Sequence, residues 1–320
     1  MRMNRRSGSA LLAVLWLSAA LSVIALTVAG TVRGEVDRAS TAADDTRAYF
    51  LAEGAIQRSI LWIQWGRSWP PGYYQPGLPL NFKFPGGDVA VDVIPESSKL
   101  NINYCLPAEL FRLLVALGVP ADHAQELTEA IIDWRTPAPN GEPTPYDSFY
   151  LQQRPSFTAS HTSFTEIEDL LAVRGMTPDL FYGTWERDDA VQPPRLTQRI
   201  GLRDCISVYS NGSLDVNTTP LPVLIAQGFP PEAAAELVAQ RERQPFTNPV
   251  AIHNLAASLG PLATRLNFGG VSMYTIRATA RPRAANGELS DLKRTVSVLI
   301  KFTPPESGTF LHIVRWYDRG

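Results

Sequence analysis

The sequence predicts an α+β fold: a long N-terminal transmembrane and amphipathic helix packs on a small antiparallel sheet, and a large all-helical domain is inserted into that sheet. Three observations predict it. An uncharged stretch near the N-terminus runs on into a helical apolar stripe, alternating strand segments lie towards both ends of the chain, and a helical repeat punctuated by Gly and Pro lies between them. With 320 residues, 45% hydrophobic and 19% charged, the chain can bury a large core and is not of disordered composition.

The first element begins at Ser9. From there to Val32 the chain carries no charge, and Arg2, Arg5 and Arg6 precede it. As a helix these residues span roughly 36 Å, enough to cross a bilayer. The leading arginines place the N-terminus in the cytoplasm and everything after Arg33 across the membrane. A cleavable signal peptide with Thr27 and Ala29 at its cut is the alternative, but its apolar region is ordinarily only about 7 to 15 residues long. Helical character also continues past Arg33. Val36, Ala39 and Ala43, then Tyr49, Ala52, Ile56, Ile60 and Ile63, keep a spacing of three or four within each run, and no proline occurs before Pro70. One helix from Ser9 to about Trp65 is expected, its second half packed by one face.

Residues 68–87, rich in Pro, Gly and aromatics, read as a loop. Asp88 to Ile94 then alternates as a half-buried strand. Near the C-terminus Val271 to Arg281 alternates too, Ala285-Asn286-Gly287-Glu288 supplies a hairpin turn, Leu289 to Phe302 returns, and Phe310 to Tyr317 offers a third strand. Strands this far apart in sequence imply one sheet interrupted by an insertion.

The insertion repeats. Leu100-Asn101-Ile102-Asn103 matches Leu214-Asp215-Val216-Asn217, and Gly118-Val119-Pro120 matches Gly228-Phe229-Pro230. Each unit reads as short strand, helix, Gly-hydrophobic-Pro turn and helix, with proline starting the second helix. Helices meeting at glycine turns resemble helix-hairpin-helix units that grip DNA phosphates through turn amides. However, residues 104–268 hold 11 basic against 19 acidic residues, a net charge of −8, which removes the electrostatic term on which nonspecific DNA binding depends. No nucleic-acid partner is expected.

No catalytic constellation stands out. His123, His161, His253 and His312 are scattered and belong to no metalloprotease or nucleophile-elbow motif. The richest polar loop runs from Asp133-Trp134-Arg135 through Asn140-Gly141-Glu142 to Tyr146-Asp147, and its carboxylates on a Gly/Pro-rich loop suit calcium. A solvated acidic loop is the other reading. For Cys105 and Cys205, a single bridge and two free buried thiols both stand open.

The leader Arg5-Arg6-Ser7-Gly8, followed directly by Ser9-Ala10-Leu11-Leu12, resembles the class III signal of type IV pilins and type II secretion pseudopilins. In that family a prepilin peptidase cuts after the glycine, which places the cut between Gly8 and Ser9, and the family resemblance also implies methylation of the mature chain. Most pilins have glutamate at the fifth mature position, which is Ala13 here. That absence resembles the K-type minor pseudopilin, whose place is the filament tip. The match extends through the Leu-Asn-Ile-Asn and Leu-Asp-Val-Asn-Thr-Thr-Pro segments, Ile132-Asp133-Trp134, Asp147 with Tyr150-Leu151, and Ser163-Phe164-Thr165, whose order is more specific than any one of them.

The resemblance implies a leader over 1–8, a transmembrane helix over 9–32, the two parts of a pilin-like domain over 33–103 and 269–320, and the insertion over 104–268. It implies a non-enzymatic tip subunit that initiates the filament and supports export of folded proteins. Its partners would be I-type and J-type minor pseudopilins, the major pseudopilin and the prepilin peptidase. It further implies calcium near the acidic loop, with Asp133 and Asp147 at matching positions. Tyr146 stands where one ligand is expected, and Glu142 is the substitute. Two competing functions make different use of the same residues: a membrane-anchored periplasmic hydrolase using Asp133, Glu142 and Asp147, and a competence-type DNA-binding module.

Overall fold

A computed structural model describes the chain except for residues 1–6, 69–78, 189–193, 249, 251–259, 268–271, 285, 304–305, 307 and 319–320. Helix α1 (Ser7–Ser68) is followed by β1 (Leu80–Phe84), β2 (Gly87–Pro95) and β3 (Leu100–Asn101). The insertion then supplies α2 (Pro107–Ala116), α3 (Ala121–Arg135), α4 (Asp147–Leu151), α5 (Pro178–Tyr182), β4 (Thr184–Asp188), β5 (Arg195–Arg199), β6 (Ile206–Ser207), β7 (Leu214–Asp215), α6 (Leu221–Ala226), α7 (Pro231–Arg243) and β8 (Leu266–Asn267). Strands β9 (Met273–Pro282), β10 (Arg294–Phe302) and β11 (Leu311–Tyr317) complete the chain.

The five long strands form one antiparallel sheet in the order β1-β2-β9-β10-β11, so the insertion leaves after β2 and returns into its neighbour β9. Register follows the apolar alternation. Val91 on β2 stands beside Ala278 on β9, which stands beside Val296 on β10, and all three are fully buried. Against this face α1 presents Ala48, Ala52, Ala55, Ile56, Ile60 and Ile63. The alanines let the helix backbone approach the sheet, and the isoleucines fill the space between strands. An ion pair from Arg294 on β10 to Asp45 marks where the helix meets the sheet. Burying one such isoleucine contributes about 1.5–3 kcal/mol.

Several sequence expectations change. The stripe through Val36, Ala39 and Ala43 is not covered; packing starts at Ala48. The loop expected over 68–87 ends in strand β1, which a two-residue turn at Pro85-Gly86 joins to β2. Its Pro/Gly-rich flank masks the short alternation of Leu80, Phe82 and Phe84. The sheet's return strand begins at Arg294 rather than Leu289, because the hairpin closes early through Arg283 and Leu289 and then through Ser290.

The insertion has its own core and is not purely helical, as an all-helical domain would be. Strands β4 and β5 form a hairpin, and β3 with β6 and β7 with β8 make two short parallel ladders. These ladders close the two repeats. In each, the glycine at the turn takes a left-handed backbone, φ 85° at Gly118 and 96° at Gly228, and the next amide bonds back into the first helix, Val119 N to Leu114 O and Phe229 N to Leu224 O, both at 3.1 Å. Helices α2 and α6 pack together, and Arg112 reaches across to the Ala226 carbonyl at the end of α6.

Candidate assembly surface and carboxylate site

Every residue of α1 from Leu11 to Arg33 is exposed, including Leu12, Trp16, Leu21, Ile24 and Leu26. Among the described residues, α1 is the one helix long and apolar enough to cross a membrane. Its few polar side chains are satisfied within the helix: Ser18, Ser22, Thr27 and Thr31 bond to carbonyls three or four residues earlier at 2.8–2.9 Å. That is what an apolar medium demands, since an unpaired hydroxyl there is costly. Gly8 and Ser9 lie in the first turn of α1, Arg2, Arg5 and Arg6 lie outside the described residues, and Ala13 sits on the exposed shaft. Beyond the shaft, Phe50, Leu61 and Trp65 point away from the sheet.

The carboxylate site forms where the C-terminal end of α3 meets the loop leading into α4. Asp147 is drawn inward. Its Oδ2 accepts from Thr144 N at 2.8 Å and lies 3.0 Å from His161 Nε2, while Oδ1 accepts from Ala159 N at 3.2 Å. Asp133 accepts from Thr144 Oγ1 at 3.1 Å. Glu142 stays exposed. Asp133, Glu142 and Thr144 line a groove of about 930 Å³ with Phe111, Ile132 and Tyr146, and Asp147 is not part of that lining.

The electrostatics follow from this placement. Burial pushes the Asp133 carboxyl up, and Asp147 adds to it against the pull of Thr144 and His161. Burial would also raise Asp147, but the His161 ring and the Thr144 and Ala159 amides outweigh it and hold the carboxyl below its usual range. For His161, burial is likewise outweighed by Asp147, and the ring is held above its usual value.

The three acidic residues do not fit a calcium ion as placed. Asp147 is 4% exposed at its side chain and already holds three protein donors. Among the described residues no group of three or more His, Cys, Asp or Glu is gathered closely enough to hold a metal. Nor do the three carboxylates converge as a hydrolase would need, since Glu142 faces solvent and Asp147 faces inward. At the repeat turns, the amides of Gly118, Val119, Gly228 and Phe229 are all taken by their own helices, which leaves them unavailable to a phosphate.

Cys105 and Cys205 are both free and buried, so no bridge joins them. Arg135 explains the first: its guanidinium bonds the Ile102 and Cys105 carbonyls and sits 3.5 Å from the Cys105 sulfur. Burial pushes the thiols of both up. His161 is the residue of this site that sequence reasoning missed. It lies 14 residues beyond Asp147 in an Ala-Ser-His-Thr-Ser stretch with no motif, and it reaches the site through a left-handed backbone, φ 46°. Of the other histidines, His253 lies outside the described residues, and His312 lies on β11 against Thr309.

Residues 99–182 match the family model for type II secretion system protein K. The chain is 26% identical over 204 residues to the type II secretion system protein K of Pectobacterium carotovorum subsp. carotovorum, a match covering 56% of this chain and 61% of that protein. The chain thus spans less than two thirds of that relative's length. Its fold is similar to a chain in the crystal structure of the GspK-GspI-GspJ complex from the enterotoxigenic Escherichia coli type 2 secretion system, with a TM-score of 0.53 and 14% identity over 88% of this chain and 98% of that one. The matched segment spans the first strand of the repeat, the α2–α3 turn and the carboxylate site, and the fold around it is a pilin-like helix and sheet with an insertion; the chain is similar to type II secretion system protein K in sequence over this segment and in fold over most of its length.

Proposed function

We propose that this chain is a protein K of a type II secretion system and works as a tip subunit of the pseudopilus, anchored by α1 in the inner membrane with its bulk in the periplasm, and that its work is packing rather than catalysis. The observation that carries the reading is the division of α1. Its first half exposes an unbroken apolar shaft, whereas its second half buries one face against the sheet. A helix built this way can leave the bilayer and pack among the helices of neighbouring subunits without unfolding the domain it supports. The insertion suits a terminal position. About 160 residues inserted between the neighbouring strands β2 and β9 would obstruct neighbours if repeated at every step of a helical filament, yet not at its end.

By analogy with the complex containing GspI and GspJ, its first partners are I-type and J-type minor pseudopilins, followed by the major pseudopilin. In this reading the assembly starts the filament and supports export of folded proteins. The absence of glutamate at Ala13 supports the tip placement. A carboxylate inside the bilayer is costly unless neutralised, and a subunit with nothing above it has no neighbouring amine to pair with.

The decisive experiment is to sequence the N-terminus of protein recovered from membranes with and without the prepilin peptidase. A chain starting at Ser9 only when the peptidase is present supports the reading, and co-purification with I-type and J-type partners then tests the tip placement. A start near Gly30, or an uncut chain in both hosts, removes it.

A further inference from the structure

His161 sits in an unusual cage. Its Nε2 lies 3.0 Å from Asp147 Oδ2, and its Nδ1 lies 3.2 Å from the Asp133 carbonyl and 3.3 Å from the Thr136 carbonyl. Carbonyl oxygens can only accept, so Nδ1 must carry a hydrogen. Asp147 Oδ2 already accepts the Thr144 amide, so Nε2 faces an acceptor as well. Both ring nitrogens therefore point at oxygen acceptors, one a carboxylate and two of them backbone carbonyls. That oxygen set, carboxylate plus backbone carbonyl on a Pro/Gly-rich loop, is the kind a calcium ion takes.

We propose that in this chain the His161 side chain fills the place that the family resemblance gives to a calcium ion, so that the loop from Asp133 to Asp147 holds its shape without a divalent metal. The other features of the loop agree. Tyr146 replaces one expected ligand and is bonded instead to Glu129 at 3.2 Å, and Glu142, the expected substitute, is turned to solvent. The ring ties together three parts of the lobe that a metal would otherwise join: the C-terminal end of α3 at Asp133 and Thr136, the start of α4 at Asp147, and the segment leading to Phe164 through His161 itself. The inference rests on the family assignment only for the expectation of calcium. Its geometry stands independently of the tip reading.

The test uses the full chain in detergent. After dialysis against chelator, its melting temperature is measured with millimolar calcium and with excess EGTA, and bound calcium is quantified on the protein as purified. The expected result is the same melting temperature within about 1 °C in both and less than about a tenth of an equivalent of calcium, whereas His161→Ala melts several degrees lower in both media. A calcium-dependent rise of several degrees in the wild-type chain, stoichiometric bound calcium, or a His161→Ala variant as stable as wild type would each overturn the proposal. Should His161→Ala not accumulate, His161→Gln is read in the same way, and the wild-type arms decide without either variant.

Discussion

Asn217 brackets the backbone of Phe246 from both sides: its amide nitrogen donates to the Phe246 carbonyl at 2.8 Å and its Oδ1 accepts the Phe246 amide at 2.8 Å. Asn103 treats Phe164 identically, at 2.9 and 2.8 Å. These are the last residues of Leu-Asn-Ile-Asn and Leu-Asp-Val-Asn, so each repeat pins a distant phenylalanine segment to its short strand. The residue two positions earlier also keeps its role, as Asn101 and Asp215 accept the amides of Asn103 and Asn217 in tight side-chain turns at 2.8 and 3.0 Å. A second arginine echoes Arg135: Arg241 bonds the Val216 and Thr219 carbonyls as Arg135 bonds those of Ile102 and Cys105.

Truncating the bracket is costly because it orphans two backbone groups at once. Asn217 and Phe246 are both buried, and each buried group left unpaired costs about 1–3 kcal/mol. Asn217→Ala is expected to lose about 2–4 kcal/mol of stability in urea denaturation. Asn103 is only half-buried, so water can replace part of what it supplies, and Asn103→Ala should cost about half as much. Equal losses at the two sites would show that burial does not govern the bracket.

What could be read in the sequence had a local physical cause. The stripe from Ala52 to Ile63 fixed the packed half of α1, because burial on one helix face demands a spacing of three or four. The repeat was visible because the bracket needs a donor and an acceptor on two separate atoms, and no other side chain as short as asparagine presents them. The reach of each bracket was not visible: nothing in the sequence ties Asn103 to Phe164, 61 residues away. The β4–β5 hairpin was missed because Glu186, Arg187 and Arg199 face solvent or one another and leave little apolar alternation, Arg199 pairing with Glu186 at 2.9 Å. At the carboxylate site Thr144 stands between Asp133 and Asp147, within hydrogen-bond distance of both. The residue that organises them, His161, comes from a segment without periodicity.

Glu96 ties the two lobes together. It lies in a short turn after β2, with its side chain 5% exposed, and accepts from Lys99 Nζ at 3.1 Å and from Thr275 Oγ1 on β9 at 2.6 Å. Burial alone would raise its carboxyl, but Lys99 together with the hydroxyls of Ser207 and Thr275 outweighs it and holds the group below its usual value. The unfolded chain then binds a proton at a higher pH than the folded one. The stabilisation is fully present above the unfolded value and is lost as the pH falls through the folded one. Melting temperature should therefore fall on acidification below the ordinary glutamate range. Glu96→Gln should flatten that limb while costing about 3–5 kcal/mol at neutral pH, because Lys99 is left buried without its partner. An unchanged acid limb in the variant would assign the slope to other groups.

The two faces of α1 should separate folding from assembly. Ile56 is fully buried against the sheet, and Ile56→Ala is expected to cost about 2–5 kcal/mol of stability. Phe50, six residues earlier, is 62% exposed. Phe50→Ser should leave the melting temperature within about 1 °C of wild type and yet reduce co-purification with the proposed I-type and J-type partners. If Phe50→Ser assembles at the wild-type level, the exposed face of this half of α1 is not a packing surface.

Gly201 and Gly212 are both needed, for opposite reasons, and substitution can tell them apart. A Cβ on Gly201 would lie 2.4 Å from Gly183 N and from Tyr182 C, and 2.5 Å from Phe181 O. All three are backbone atoms at the end of α5 that cannot step aside, so the chain crosses itself there by direct contact. Gly212 has open space around its Cβ position but a left-handed backbone, φ 78°. Gly201→Ala should therefore cost roughly 3 kcal/mol or more through overpacking, and Gly212→Ala about 1–2 kcal/mol through backbone strain. Asparagine discriminates between the two causes, because it tolerates the left-handed region and yet still carries a Cβ. Gly212→Asn should recover most of the loss seen with alanine, and Gly201→Asn should be at least as damaging as Gly201→Ala. Recovery at Gly201, measured by the same denaturation, would mean that the crossing at Gly183 can open by enough to admit a side chain.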